Sequence, residues 1–193
     1  PAVNGKPVPL SSVLDLRAQE LLDCFPDRIL VNEEVANFRL SNEHITSYID
    51  TVLRADRSAY LTFVSSLVKR GLIRGCLERR ARITPFFVPK KGGKQRLVFD
   101  CRRANAFFIK SPVMEMGSSE AFSSISIPEG GKLYIASADI EACFYQCGVN
   151  AQLSKYFCLP SLSGQECLHV GISVDSNGLP ISAENTCVYP ALA

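Results

Sequence analysis

Residues 88–100 read Val-Pro-Lys-Lys-Gly-Gly-Lys-Gln-Arg-Leu-Val-Phe-Asp, which sets Lys90, Lys91 and Lys94 around Gly92 and Gly93, with Arg96 just beyond. Glycines let the backbone approach a polyphosphate, lysines act as flexible point charges, and an arginine can fork two phosphate oxygens. Asp100, followed by Arg102 and Arg103, offers a carboxylate to hold a guanidinium in place. The bland alternative is an exposed hairpin with solubilising lysines. The G-x-x-x-x-G-K-[ST] order is absent, which excludes a Walker-type nucleotide loop. Downstream, Tyr134-Ile-Ala-Ser-Ala-Asp139-Ile-Glu-Ala-Cys-Phe-Tyr-Gln146 ends a short apolar run on Asp139. A carboxylate at a strand end suits Mg²⁺, which takes one or two carboxylates plus substrate phosphates. Alternatively, Asp139 caps the short helix that follows it.

The charge distribution sharpens the first of these. The 193 residues carry a net charge of only +2, yet residues 61–110 hold 13 Lys/Arg against 2 Asp/Glu. Residues 1–60 and 111–193 are both net acidic. Such a basic segment creates a field suited to phosphate, from nucleic acid or from a nucleotide. With 47% hydrophobic and 21% charged residues the composition is that of an ordinary globular domain, not a disordered tail. No apolar run approaches the ~18 residues of a membrane span, and no signal-like segment opens the chain. Because it begins at Pro1 and stops soon after Pro190, it reads as a segment of something longer.

The eight cysteines include no C-x-x-C pair, and most sit in apolar surroundings. They read as reduced thiols in a reducing, intracellular compartment, cytoplasmic or nuclear. Cys167 with His169 is the one weak metal option.

These groups must be positioned by a mixed α+β arrangement. Apolar spacing predicts helices over about Ser12–Cys24, Glu43–Leu53 and, most clearly, from an Asp56 cap to Gly71, with Tyr60, Val64, Leu67 and Val68 inward. Ile83–Pro89 and Gln95–Asp100 predict two strands of a hairpin with a lysine-rich tip. Short helices or turns are expected near Arg102–Ile109, Gly117–Ile125 and Glu141–Gln146. Leu133–Ala138 reads as a strand buried on both faces, with further strands at Lys155–Pro160, Glu166–Val174 and Cys187–Tyr189. The expected organisation is a helical extension over 1–56, a region of 57–130 bearing the hairpin, and 131–193 bearing the Asp139 strand.

Taken in order, these stretches resemble reverse transcriptases of the retroviral and LTR-retrotransposon kind, over roughly residues 57–160. Ile83–Lys91 and Gln95–Asn105 are similar to the fingers hairpin. Leu67–Ile73 is similar to the helix-then-glycine entry, Ser137–Gln146 to the first palm motif, and Lys155–Pro160 to the palm strand after it. The resemblance implies a partial right-hand polymerase fold, with fingers over 57–130 and an incomplete palm over 131–193. It implies that Lys90 or Lys91 contacts the triphosphate of an incoming deoxynucleotide and Arg96 its α- or β-phosphate. Asp100 and Arg102 brace the fingers. Asp139 is the catalytic residue and a ligand of the Mg²⁺ pair, with the Ile140 carbonyl completing the shell. Phe144 is the steric gate under the sugar and Gln146 lies near the same pocket. An RNA or DNA template–primer is the implied partner, as is the remaining half of the palm. Phosphoryl transfer needs charge neutralisation above all, so these are the expected parts.

Departures bear on activity. The family's Tyr-x-Asp-Asp hairpin is absent, no adjacent Asp-Asp pair occurs, and the Leu-Pro-x-Gly-type motif is missing. In the first palm motif, Glu141 fills a slot that often carries a polar or acidic residue, and Cys143 stands where a small residue such as glycine is frequent. This chain alone is therefore expected to be inactive as a polymerase. Two other readings stand beside it: a non-catalytic nucleic-acid-binding remnant or scaffold, and another palm-type nucleotidyltransferase. The polymerase reading requires Arg96 and Asp139 to face one triphosphate-sized space. A half-palm is also expected to expose apolar surface and a sheet edge.

Overall fold

The structure is a computed structural model, and it describes residues 8–110, 118–138 and 145–193. Asp139, Ile140 and Phe144 lie outside the described residues, as does most of the helix expected over Glu141–Gln146.

Local capping chemistry sets the N-terminal half. Asp15 accepts from the Ala18 amide to open α1 (Leu16–Asp23), and Asn32 does the same for Val35 at α2 (Glu33–Asn42). Asp50 opens the short α3 (Thr51–Ala55), and Asp56 opens α4 (Arg57–Lys69). As the spacing predicts, α4 buries Tyr60, Val64 and Leu67, and Gly71 ends it in the left-handed region at φ 67°. Of the helix expected over Glu43–Leu53, only its last three residues are helical, in α3, and the stretch before them is turn and irregular chain. Its Asp50 amide donates to the Pro85 carbonyl and its Tyr48 carbonyl accepts from the Thr84 hydroxyl. Tertiary hydrogen bonds override a loose helical pattern there.

Beyond α4 the chain forms β2 (Ile73–Cys76), β3 (Thr84–Lys90), β4 (Lys94–Asp100) and α5 (Arg102–Asn105). After α6 (Ser119–Ser123) come β5 (Cys147–Gly148), α7 (Ala151–Ser154), α8 (Gly164–Val170) and β6 (Tyr189–Leu192). Three two-stranded pairings join them: β3 with β4 and β2 with β6, both antiparallel, and β5 in parallel with the N-terminal β1 (Val8–Pro9). The mixed α+β class is therefore observed. One core draws Tyr60, Val64, Ile73, Ile83 and Ala104 together with Leu159, Leu162, Val170 and Val188. Residues on both sides of position 130 thus share it. The N-terminal segment is tied on as well, because Arg39 donates to the carbonyls of Ala106 and Phe108 at 3.2 and 2.8 Å.

Three strand expectations are corrected. Glu166–Val174 is mostly α8: Ser163 and Glu166 form a reciprocal capping box, and Gly171 at φ 95° closes the helix. This buries Cys167, and no cluster of three metal-ligating side chains occurs among the described residues. Lys155–Pro160 forms no strand, only bridges from Cys158 to Arg82 and Ala191. Leu133–Ala138 is neither buried nor laddered, with Leu133, Tyr134 and Ile135 exposed by 48%, 85% and 74%. No strand among the described residues pairs with it, and an extended apolar run without ladder partners has nothing to hold it.

Candidate nucleic-acid interface

The β3–β4 hairpin runs in unbroken register from Thr84↔Asp100 at its root to Lys90↔Lys94 at its tip. Lys91, Gly92 and Gly93 make the turn, and both glycines take positive φ, at 79° and 69°. Residues directly opposed in an antiparallel pair point to the same face, and that face alternates along each strand. One face therefore carries Lys90 and Lys94, then Val88 and Arg96, then Phe86 and Val98, then Thr84 and Asp100. The other carries Phe87, Leu97 and Phe99. Leu97 and Phe99 pack on the core, and Phe87 meets Phe63 of α4 edge to face with centroids 6.0 Å apart. The apolar face anchors the ribbon while the opposite face collects cations.

Lys90, Lys91, Lys94 and Arg96 are all exposed, and none joins an ion pair among the described residues. The root is different. Asp100 accepts Nε and Nη2 of Arg102 at 2.9 and 2.7 Å, together with the Tyr48 and Arg102 amides. The Asp100 side chain is only 6% exposed. The Arg102 guanidinium, with help from the two amides, holds its carboxyl down at about 2. Arg102 also donates to the Thr46 carbonyl at 3.0 Å, so one ion pair ties the root of β4 to the segment before α3. The Asp100 carboxylate thus holds the Arg102 guanidinium in place.

Beside the clamp lies a cleft of about 360 Å³ lined by Tyr48, Phe86, Phe99, Asp100, Cys101, Arg102 and Asn105. Tyr48 and Phe86 meet edge to face at 5.2 Å, and Tyr48 is 55% exposed. An exposed aromatic ring next to a guanidinium is a surface on which a base can stack. Nothing in the sequence marks Tyr48 for this position; only the Thr84 and Asp100 hydrogen bonds bring it there.

Tyr145 reaches the same hairpin. The Tyr145 hydroxyl donates to the Leu97 carbonyl on β4 at 3.2 Å, and burial pushes that phenol up while the nearby Arg96 charge opposes the shift. Gln146 is exposed, and its carbonyl accepts from the Val8 amide at 2.8 Å. A cavity of about 700 Å³ lies elsewhere, between the N-terminal segment and Arg74, and is lined by none of the expected site residues.

No known protein family, curated protein or solved structure matches this chain. No helix among the described residues is long and apolar enough to cross a membrane.

Proposed function

We propose that this chain carries the fingers and first palm motif of a reverse-transcriptase-like polymerase, and that its β3–β4 ribbon grips the phosphates of a template–primer and of a deoxynucleoside triphosphate. One observation supports this above the others. Lys90, Lys94 and Arg96 share one ribbon face without acidic partners among the described residues, and Tyr145, the residue after Phe144, docks on the same strand. Phosphate contacts need cations free to exchange counterions for backbone oxygens, and these cations meet that need. Arg96 is the bidentate candidate; Lys90, Lys91 and Lys94 are mobile charges around it. The Asp100–Arg102 pair holds the ribbon's root, and Tyr48 offers the neighbouring stacking surface.

Asp139 and Glu141, the carboxylates of the stretch that would hold a metal, lie outside the described residues. Asp139 has no adjacent acidic pair to join it in the sequence, and the described residues gather no group of three His, Cys, Asp or Glu. On this reading the described residues of the ribbon bind and orient phosphate. The exposed Leu133–Ala138 run, which pairs with no strand among the described residues, favours a second reading, a non-catalytic nucleic-acid-binding protein built on the same hairpin.

Acetylation footprinting tests the contact. A template–primer with a matching deoxynucleotide should protect Lys90, Lys91 and Lys94 from acetylation, while Lys69 on α4 and Lys132 react unchanged. Equal modification at all five positions with and without nucleic acid would rule out the proposed face.

A further inference from the structure

The cavity of about 700 Å³ lies between the N-terminal segment and α7, well away from the hairpin tip. The parallel pairing of β1 with β5 holds the N-terminal segment there, and the Val8 amide adds a bond of 2.8 Å to the Gln146 carbonyl. Leu10, Leu22 and Phe25 line the cavity from that segment, and Val149 and Leu153 line it from β5 and α7 onward. The one cationic side chain in the lining is Arg74. On β2, Ile73 goes into the core, and strand alternation sends Arg74 to the other face. Arg74 is partly buried, and its Nη2 donates to the Val149 carbonyl at 3.1 Å. No carboxylate pairs with it among the described residues. Asp23, the one acidic side chain in the lining, is exposed.

We propose that this cavity binds an amphipathic carboxylate, with its acid group on Arg74 and its apolar chain against Leu10, Leu22, Phe25 and Leu153. This is independent of the polymerase reading. The volume falls within the roughly 300–1,000 Å³ of small-molecule sites, which likewise join apolar walls to a few polar groups. A guanidinium carries five N–H donors, and the Val149 carbonyl takes only one of those on Arg74. A partly buried cation among apolar walls gains most from an anion that brings two oxygens to its planar fork. The bond to Val149 already orients the guanidinium, so little further ordering is needed when the ligand arrives. One cation, with Asp23 in the same lining, suits a singly charged head better than a phosphate monoester of about −1.5 to −2. The apolar walls then select for a ligand with a chain behind its acid group.

Photo-crosslinking tests both the place and the charge. Dodecanoate bearing a diazirine is photolysed with the 193-residue protein below its micelle-forming concentration, and the labelled peptides are mapped by mass spectrometry. The expected result is saturable labelling of peptides that hold Leu10, Leu22, Phe25 or Leu153. Unlabelled dodecanoate should compete, and dodecanol, which lacks the acid, should compete about tenfold more weakly. Arg74→Gln should bring the two competitors to parity. Labelling that does not saturate, labelling confined to the exposed run around Leu133–Ile135, or equal competition by acid and alcohol would overturn the proposal. So would a folded Arg74→Gln protein that still prefers the acid. The wild-type competition decides the matter even where the variant does not fold.

Discussion

Lys90 and Lys94 stand directly opposite each other across the tip of the hairpin, two like charges in one cross-strand pair. Like charges so placed weaken a hairpin, by roughly 0.2–1 kcal/mol against a neutral pair. A pairing that costs stability and has no acidic partner among the described residues is what a phosphate-binding surface requires. Lys94→Thr should therefore raise the stability of the free protein slightly at low salt, while weakening its hold on nucleic acid. Urea titrations at two salt concentrations check the first effect. Lower stability in the variant would mean that Lys94 has a structural role instead.

The Asp100–Arg102 clamp predicts a pH dependence with a definite sign. The Asp100 carboxyl is held down at about 2 from an ordinary value of 3.8. Its contribution is present above pH 4 and is lost as pH falls through about 2. After allowance for Arg102, which is 58% exposed, it amounts to about 1–2 kcal/mol. Asp100→Asn should lower unfolding free energy by that amount at pH 7, and the two proteins should converge near pH 2. Glu166, paired with Arg57 and also held at about 2, titrates in the same window, so the difference between the two curves isolates Asp100. Parallel curves would show that the clamp contributes nothing.

Gly75 sits in the middle of β2 with no room for a side chain. A Cβ there would lie 2.6 Å from Ile181 Cδ1, 2.8 Å from Ile172 Cγ2 and 2.9 Å from the Val174 carbonyl oxygen. The two side chains can give, but the backbone oxygen cannot without moving its loop. Gly75→Ala is expected to cost about 1–3 kcal/mol, read from the denaturation midpoint. A neutral result would mean that the 172–181 loop shifts freely.

The purified chain should not extend a primer with either Mg²⁺ or Mn²⁺, since it has no adjacent Asp-Asp pair to join Asp139. A radiolabelled primer–template assay reads this. Template-dependent extension would show that Asp139 finds its metal-binding partners elsewhere in the chain.

Much of the hairpin and its support is legible in the sequence because its signals are local. The glycine pair marks the turn, the alternation of Phe87, Leu97 and Phe99 marks the anchored face, and the Asp56 cap with Gly71 bounds α4. Asp100 and Arg102, two residues apart, announce their own pairing. The failures have physical causes too. Glu166–Val174 has enough apolar residues to pass for a strand, but Ser163 and Glu166 spell a capping box, a local signal that outweighs the run. Asn32 before Glu33 and Glu34 likewise marks the start of α2, where apolar spacing alone predicts no helix. Leu133–Ala138 reads as buried because its residues are apolar, yet burial depends on a partner strand and no single segment encodes that. Tyr48 is invisible in the sequence for the same reason, since its place is fixed by contacts with Thr84 and Asp100, 36 and 52 residues away.

The phosphate grip of the ribbon face is tested most directly by the salt dependence of template–primer binding. Each duplex phosphate neutralised adds about −0.9 to the slope of log affinity against log salt. Replacing Lys90, Lys94 and Arg96 together by alanine should make that slope shallower by roughly 2 to 3 and weaken binding at low salt. An unchanged slope and affinity in a variant that folds normally would show that nucleic acid does not bind on this face.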